Sequence, residues 1–208
     1  MIPAKELRTW TRQIGDLTCT ISTDPSQIQL GALNDAFASD MLYWAKPLSP
    51  EALKLCVEQS LCFGLYVQQR SQQEGESIPT TKGSSEGQEM IGFGRLVTDY
   101  VTFAYLTDVY VIAQHQGKGL GKWMMQCLDE VLRSWPDLRR CVLLTRGAAA
   151  VRMYGETIGA RDISETSSSL VVLERPGPAA PMAGEEDKGR KGGGARVDGA
   201  REVADAVN

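Results

Sequence analysis

Apolar and polar positions alternate along this chain in blocks whose period separates strands from helices. Leu17, Cys19 and Ile21 recur at every second position and predict a first strand over residues 17–22. Asp24 and Pro25 then make a turn into a helix over about 27–38, and Pro50 opens a second helix with Leu53, Cys56 and Val57 on one face. Residues 61–68 are nearly all apolar and read as a buried strand. Residues 71–89 are Ser, Gly, Gln, Glu and Thr, an extended hairpin loop expected to be flexible, before pairing resumes over 90–98 and 101–112. Leu120, Trp123, Met124, Cys127, Val131 and Leu132 recur mostly at spacings of three and four, so residues 120–135 predict a helix that Pro136 ends. A strand over 141–145, a helix over 148–158 closed by Gly159 and a last strand over 168–173 complete the pattern. One domain over 17–175 follows an N-terminal extension, 1–16. From 176 to 208 the chain is Gly, Pro, Ala and charge, and is expected to be a disordered tail because burial cannot offset its ordering entropy.

Composition narrows the function. The chain has 208 residues, 42% of them hydrophobic, enough for one ordinary core. Its net charge of −4 and pI near 5.2 leave no basic field for nucleic acid or an anionic membrane. Five cysteines form no Cys-x-x-Cys pair, and the first seventeen residues mix Lys5, Glu6, Arg8 and Arg12 without the apolar core of a signal peptide. A reducing, cytoplasmic location is expected, with the nucleus left open. No apolar run approaches the ~18 residues of a membrane span. With His115 the single histidine, a centre built on several imidazoles is excluded, and no metal is expected. A Ser-His-Asp triad would have to use His115, which is better read as a solvent-facing loop residue.

The richest chemistry lies in Gln116-Gly117-Lys118-Gly119-Leu120-Gly121, between a predicted strand and a predicted helix. Backbone N–H groups at a helix N-terminus lack intrahelical partners and sit at the positive end of the dipole, so the loop is a phosphate cradle. It is not a Walker loop, because only three residues separate Gly117 from Gly121-Lys122 and Trp123 stands where a magnesium-binding hydroxyl belongs. Nor is it a dinucleotide fingerprint, since it reads Gly-x-Gly-x-Gly and comes late in the chain. The run from Val109 through Gly121 instead resembles the acetyl-CoA signature of the GNAT superfamily of N-acetyltransferases, [Gln/Arg]-x-x-Gly-x-[Gly/Ala] after a Val-rich strand, with Gln116, Gly119 and Gly121 in the signature positions. Residues 17–173 are similar to a subgroup of small acetyltransferases, through Tyr43-Trp44-Ala45-Lys46, the run from Ser60 to Tyr66 and the run from Gly92 to Tyr100. The resemblance implies an α/β fold with a mixed, mostly antiparallel, twisted central sheet and helices on both faces. It also implies acetyl-CoA as cosubstrate, with its pyrophosphate on the amides of Gly117, Lys118, Gly119, Leu120, Gly121 and Lys122, Gln116 as a further cofactor-site residue, and its pantetheine and thioester on backbone groups of Val109 and Val111, where the family strand splays.

Acetyl transfer to an amine needs a neutral nucleophile and a proton for the departing thiolate. An alkylamine of pKa near 10.4 is neutral at pH 7 at a cost of about 4 to 5 kcal/mol, so a nearby base is valuable. Asp108, in an otherwise apolar strand, is either that base or a structural acid tied to backbone N–H groups or to Arg95. Tyr154 fits the proton donor, by resemblance to the family's Tyr-x-x-x-[Leu/Ile/Phe]-Gly-Phe helix ending, and its alternative is a core tyrosine. Two departures from the family are Gly147, where an Asn commonly touches pantetheine, and Ala160 in place of an aromatic. Tyr43, Trp44, Phe103 and Tyr105 either line an aromatic acceptor pocket or belong to the core. The expected partner is a small-molecule amine, with a homodimer left open. A protein lysine or N-terminal acetyltransferase and a non-catalytic acetyl-CoA-binding module remain the alternatives.

Overall fold

The computed structural model describes residues 6–42, 44–69 and 87–166, together with 172, 173, 175 and 177. Among these, one sheet runs in chain order through β1 (Thr9–Ile14), β2 (Leu17–Ser22), β3 (Leu61–Gln69), β4 (Glu89–Thr98), β5 (Phe103–Val111) and β6 (Arg140–Leu143). Every neighbouring pair is antiparallel except β5 and β6, which are parallel. A parallel neighbour needs a crossover, and α3 (Leu120–Arg133) supplies it. The remaining helices are α1 (Leu30–Phe37), α2 (Pro50–Glu58), α4 (Ala148–Ile158) and a short α5 (Ile163–Thr166).

Helices cover both faces of the sheet, so the inner strands are apolar on both sides. From β3, Phe63, Leu65 and Val67 enter the core beneath α3 and α4, while Cys62 and Tyr66 enter a second core beneath α1 and α2. Gly64 shares the second face, directly under the Tyr66 phenol, where a β-carbon would overlap the ring. On α3, Leu120, Trp123, Met124, Cys127, Leu128 and Val131 form the buried stripe that docks on the first core. The mixed sheet and its two helical layers match the expected fold class.

Four details differ from the sequence reading or extend it. The extension expected over 1–16 contains β1, which pairs with β2 along its whole length. Trp10 stacks toward Phe63 at 6.2 Å and donates to Glu130 at 3.0 Å, and the Arg12 guanidinium sits 4.9 Å from the Trp123 ring centre. The helix expected over 27–38 is a single 3-10 turn, Pro25–Gln27, followed by α1. Between them Gln29 turns its amide to the backbone, donating to Gln88 and accepting from Met90. Of the last expected strand, residues 168–171 lie outside the described residues, and Val172 and Leu173 are exposed and not in a strand. Residues 71–86 of the expected loop, and 176 and 178–208 of the expected tail, also lie outside them.

Candidate active site

The site begins where the sheet parts. β6 pairs with β5 only from Phe103 to Leu106, yet β5 continues to Val111 with β4 alone beside it. Among the described residues, the edge of β5 beyond Leu106 therefore has no strand along it. A bulge lies at the same point: Thr107 pairs with Arg95 and Tyr110 with Phe93, so Asp108 and Val109 together oppose Gly94. The extra residue reverses the facing of the strand. Ala104 and Leu106 enter the core under α3 at even positions, and Val109 and Val111 enter it at odd ones.

Asp108 is the residue that makes the bulge, with φ of +56°. Side chains rarely adopt that conformation, although Asp tolerates it better than most. Its carboxylate is 6% exposed and is held by Arg95, whose Nε and Nη2 both reach Oδ2 at 2.7 Å. Thr107 Oγ1 donates to Oδ1 at 3.2 Å, and Arg95 Nη1 donates to Ser60 Oγ at 3.3 Å. Of the two readings of Asp108, the pairing with Arg95 is thus present in the structure. Ser60 was not singled out in the sequence, because nothing local ties a residue before β3 to one on β5.

Past Val111 the chain turns into the glycine loop. Gln116 Nε2 donates to the Val111 carbonyl at 2.8 Å and fastens the loop to the strand end. Gly117 and Gly119 both have φ of +73°, which favours glycine at each. Gly119 is the N-cap of α3 and offers no side-chain cap, and the first intrahelical bond runs from Trp123 N–H to the Gly119 carbonyl. The N–H groups of Leu120, Gly121 and Lys122 are consequently not used by the helix. Two αL glycines before an uncapped 14-residue helix fit a bound pyrophosphate. Lys118 reaches back to the Gln114 carbonyl at 3.2 Å, and Lys122 pairs with Glu156 of α4 at 3.0 Å. His115 is half-buried beside Lys118, and burial followed by that charge lowers its pKa.

Tyr154 lies on α4, which follows β6 and packs on α3, so the loop and the tyrosine sit on the two elements flanking the parting of the sheet. It is 6% exposed, and burial pushes its phenol up to about 12. Gly147, at φ of +85°, is the N-cap of α4. Three of the four aromatic candidates lie within the described residues. Tyr43 lies outside the described residues, Trp44 is 38% exposed in the turn before α2, and Phe103, 44% exposed, begins β5 about 16 Å of strand from Asp108. Tyr105 is nearer, pairing with Val97 on the face that carries Thr107 and Arg95.

A split mixed sheet whose bulged strand runs into an uncapped glycine loop offers a phosphate-bearing ligand the unused N–H groups at the start of α3. A family model described as "Acetyltransferase (GNAT) family" matches residues 44–160, and the chain belongs to that family, which uses acetyl-CoA. A Gibberella zeae protein described as "Putative acetyltransferase FG08082" is 41% identical over 181 residues, covering 85% of this chain and 98% of that one. A mouse (Mus musculus) protein, thialysine N-epsilon-acetyltransferase, is 32% identical over 100 residues, which are 46% of this chain and 58% of the mouse protein. Among solved structures, a GNAT-family protein of Xanthomonas campestris pv. campestris superimposes with a TM-score of 0.54 at 27% identity, covering 77% of this chain and 94% of its own. The chain is an acetyltransferase of the acyltransferase class. Among the described residues no helix is long and apolar enough to cross a membrane.

Proposed function

We propose that this acetyltransferase moves an acetyl group from acetyl-CoA directly to a primary amine of a small molecule. The observation that carries the proposal is the β5 edge past Leu106, which no strand among the described residues pairs, leading through the bulge to the uncapped N-terminus of α3. The amine is supported by the mouse and pig (Sus scrofa) relatives, each described as a thialysine N-epsilon-acetyltransferase. The domain proposed for this activity is 17–175, enlarged by β1.

In this reading Gly117, Lys118, Gly119, Leu120, Gly121 and Lys122 hold the pyrophosphate through their amides, Gln116 fastens that loop to the end of β5, and Val109 and Val111 hold the pantetheine arm. Acetyl-CoA supplies the reactive thioester carbonyl. The amine approaches from the face of Arg95 and Asp108, with Tyr105 beside it and Trp44 and Tyr43 on the segment between α1 and α2. Asp108, the bulge residue, sets a carboxylate paired with Arg95 on this side of the strand, and the ammonium group loses its first proton to solvent before attack. Tyr154 keeps its proton on Oη at neutral pH, because its pKa near 12 lies about five units above pH 7. It presents that proton to sulfur as the C–S bond breaks. Complete transfer to a thiolate with a conjugate pKa near 8.5 would be uphill by about 5 kcal/mol, so Tyr154 acts as a hydrogen-bond donor while the amine's own proton ends on the thiol.

The test is release of free CoA with a panel of amines, read by mass spectrometry on the acceptor. Small ω-amino acids and diamines are expected to gain one acetyl group. Turnover on peptides alone would support the protein acetyltransferase, and binding without turnover the module. Gly119→Val is expected to abolish the thermal stabilisation by acetyl-CoA, worth about 2.7 kcal/mol at one hundred times Kd in the wild type. A branched side chain at φ of +73° cannot keep the cradle shape.

A further inference from the structure

We propose that Arg95 is a positioning residue that locks the β5 bulge in its cofactor-ready shape, and that Asp108 serves as its anchor rather than as the base. The proposal rests on the reading that the β5 edge past the bulge receives the thioester. Three observations point to it. First, the bulge depends on a non-glycine residue at φ of +56°, a conformation that relaxes into ordinary strand unless something holds it. Second, the holding groups are in place: two guanidinium nitrogens of Arg95, on neighbouring β4, reach one carboxylate oxygen, and Thr107, the preceding residue of β5, donates to the other. Third, the guanidinium is itself fixed, because its Nη1 donates to Ser60 ahead of β3.

The lock therefore ties the residue ahead of β3 to β4 and β5 at the step where the β4–β5 register changes. If Asp108 reverted to extended strand, Val109 and Val111 would exchange facings with Asp108 and Tyr110, as any one-residue slip requires. The edge donors would rotate away from the cleft with them. An oxygen engaged by two N–H donors is also poorly placed to accept a proton from an amine, which argues for an anchor over a base.

The experiment compares four variants of the full chain. Arg95→Met takes away the partner of the Asp108 carboxylate and leaves the backbone penalty of its positive φ. Arg95→Met/Asp108→Gly removes both charges and puts glycine where the bulge needs it. Arg95→Met/Asp108→Ala removes both charges but keeps the backbone penalty, and Asp108→Asn keeps the shape with weaker pairing. Two readouts are taken: amide hydrogen exchange of residues 107–111 without ligand, and kcat and KM for acetyl-CoA.

Arg95→Met is expected to speed exchange in 107–111 selectively and to lower kcat by about 10- to 100-fold, the effect of an ångström-scale misplacement, with a smaller change in KM. The glycine double variant is expected to regain most of both, and the alanine double variant neither. Equal recovery in the two doubles would mean that only an orphaned charge was at fault and would overturn the lock. Restored exchange with kcat still low in the glycine double variant would make Asp108 a participant in the chemistry and would overturn its role as anchor. Exchange is read without substrate, so a protein with no acetyl-CoA-dependent turnover would refute the proposed function while the exchange data still decided the lock.

Discussion

At the scale of single residues, burial decides what each titratable group contributes. The phenol of Tyr154, raised to about 12, does not titrate between pH 6 and 9. Tyr154→Phe keeps the ring in the core and removes only the donor, so kcat is expected to fall about 10²-fold with acetyl-CoA affinity unchanged. The shape of the kcat–pH profile over that range should be the same in both proteins. A limb that disappears with the hydroxyl would mean that Tyr154 titrates far below the value its burial sets.

Elements show why some of the architecture was legible in the sequence and some was not. β3 and α3 stand out because both faces or one full stripe are apolar, and Gly159 marks the end of α4 with the left-handed turn that favours glycine, φ +67°. The glycine loop was readable for a related reason, since Gly117 and Gly119 occupy backbone shapes that other residues avoid. β1 was hidden. Its Thr9, Thr11, Arg12 and Gln13 are mainly solvent-facing, and only half-buried Trp10 and Ile14 pack on the core, so the segment lacks the apolar alternation of a covered strand. The bulge was invisible for a different cause, because it depends on the backbone angle of Asp108 and on groups brought together from β4, β5 and the residue ahead of β3. Deleting residues 1–15 tests the worth of β1. Loss of the Trp10 stack, its bond to Glu130 and the Arg12–Trp123 contact is expected to lower the melting temperature by roughly 5 to 10 °C, at 2 to 4 °C per kcal/mol for a chain of this size. An unchanged value would return the segment to the status of an extension.

For the molecule as a whole, the buried thiols and phenols set its response to alkali. Burial raises Cys141 from 9.0 to about 11 and Cys127 from 9.0 to about 12, and raises Tyr154, Tyr66 and Tyr110 above 10.0. Each group binds its proton more tightly in the folded protein than in the unfolded chain. Between the two values the unfolded chain is the less protonated state, so its release of protons favours unfolding as pH rises. Denaturant midpoints are expected to hold steady from pH 7 to about 8.5 and then to fall, first through the cysteines and above pH 10 through the tyrosines as well. Cys127→Ala/Cys141→Ala should delay the first part of that fall, and a midpoint that is flat to pH 11 would contradict it.

The parting of the sheet also bears on the order in which the chain assembles. β4 and β5 are joined by a tight turn in which the Asp99 carboxylate accepts from the amides of Val101, Thr102 and Phe103, so their pairing closes a small loop. β6 can reach β5 only after the whole of α3 has been laid across the sheet, and then for four residues. Loop closure over so many residues comes late and is rewarded little. The β6–α4 unit is accordingly expected to dock after the transition state, with φ-values near zero for Val142→Ala and Ala150→Gly, faster unfolding and unaltered refolding. A cleft formed between early and late halves of a fold is completed only in the finished molecule, so a partly folded chain has no means of holding the thioester.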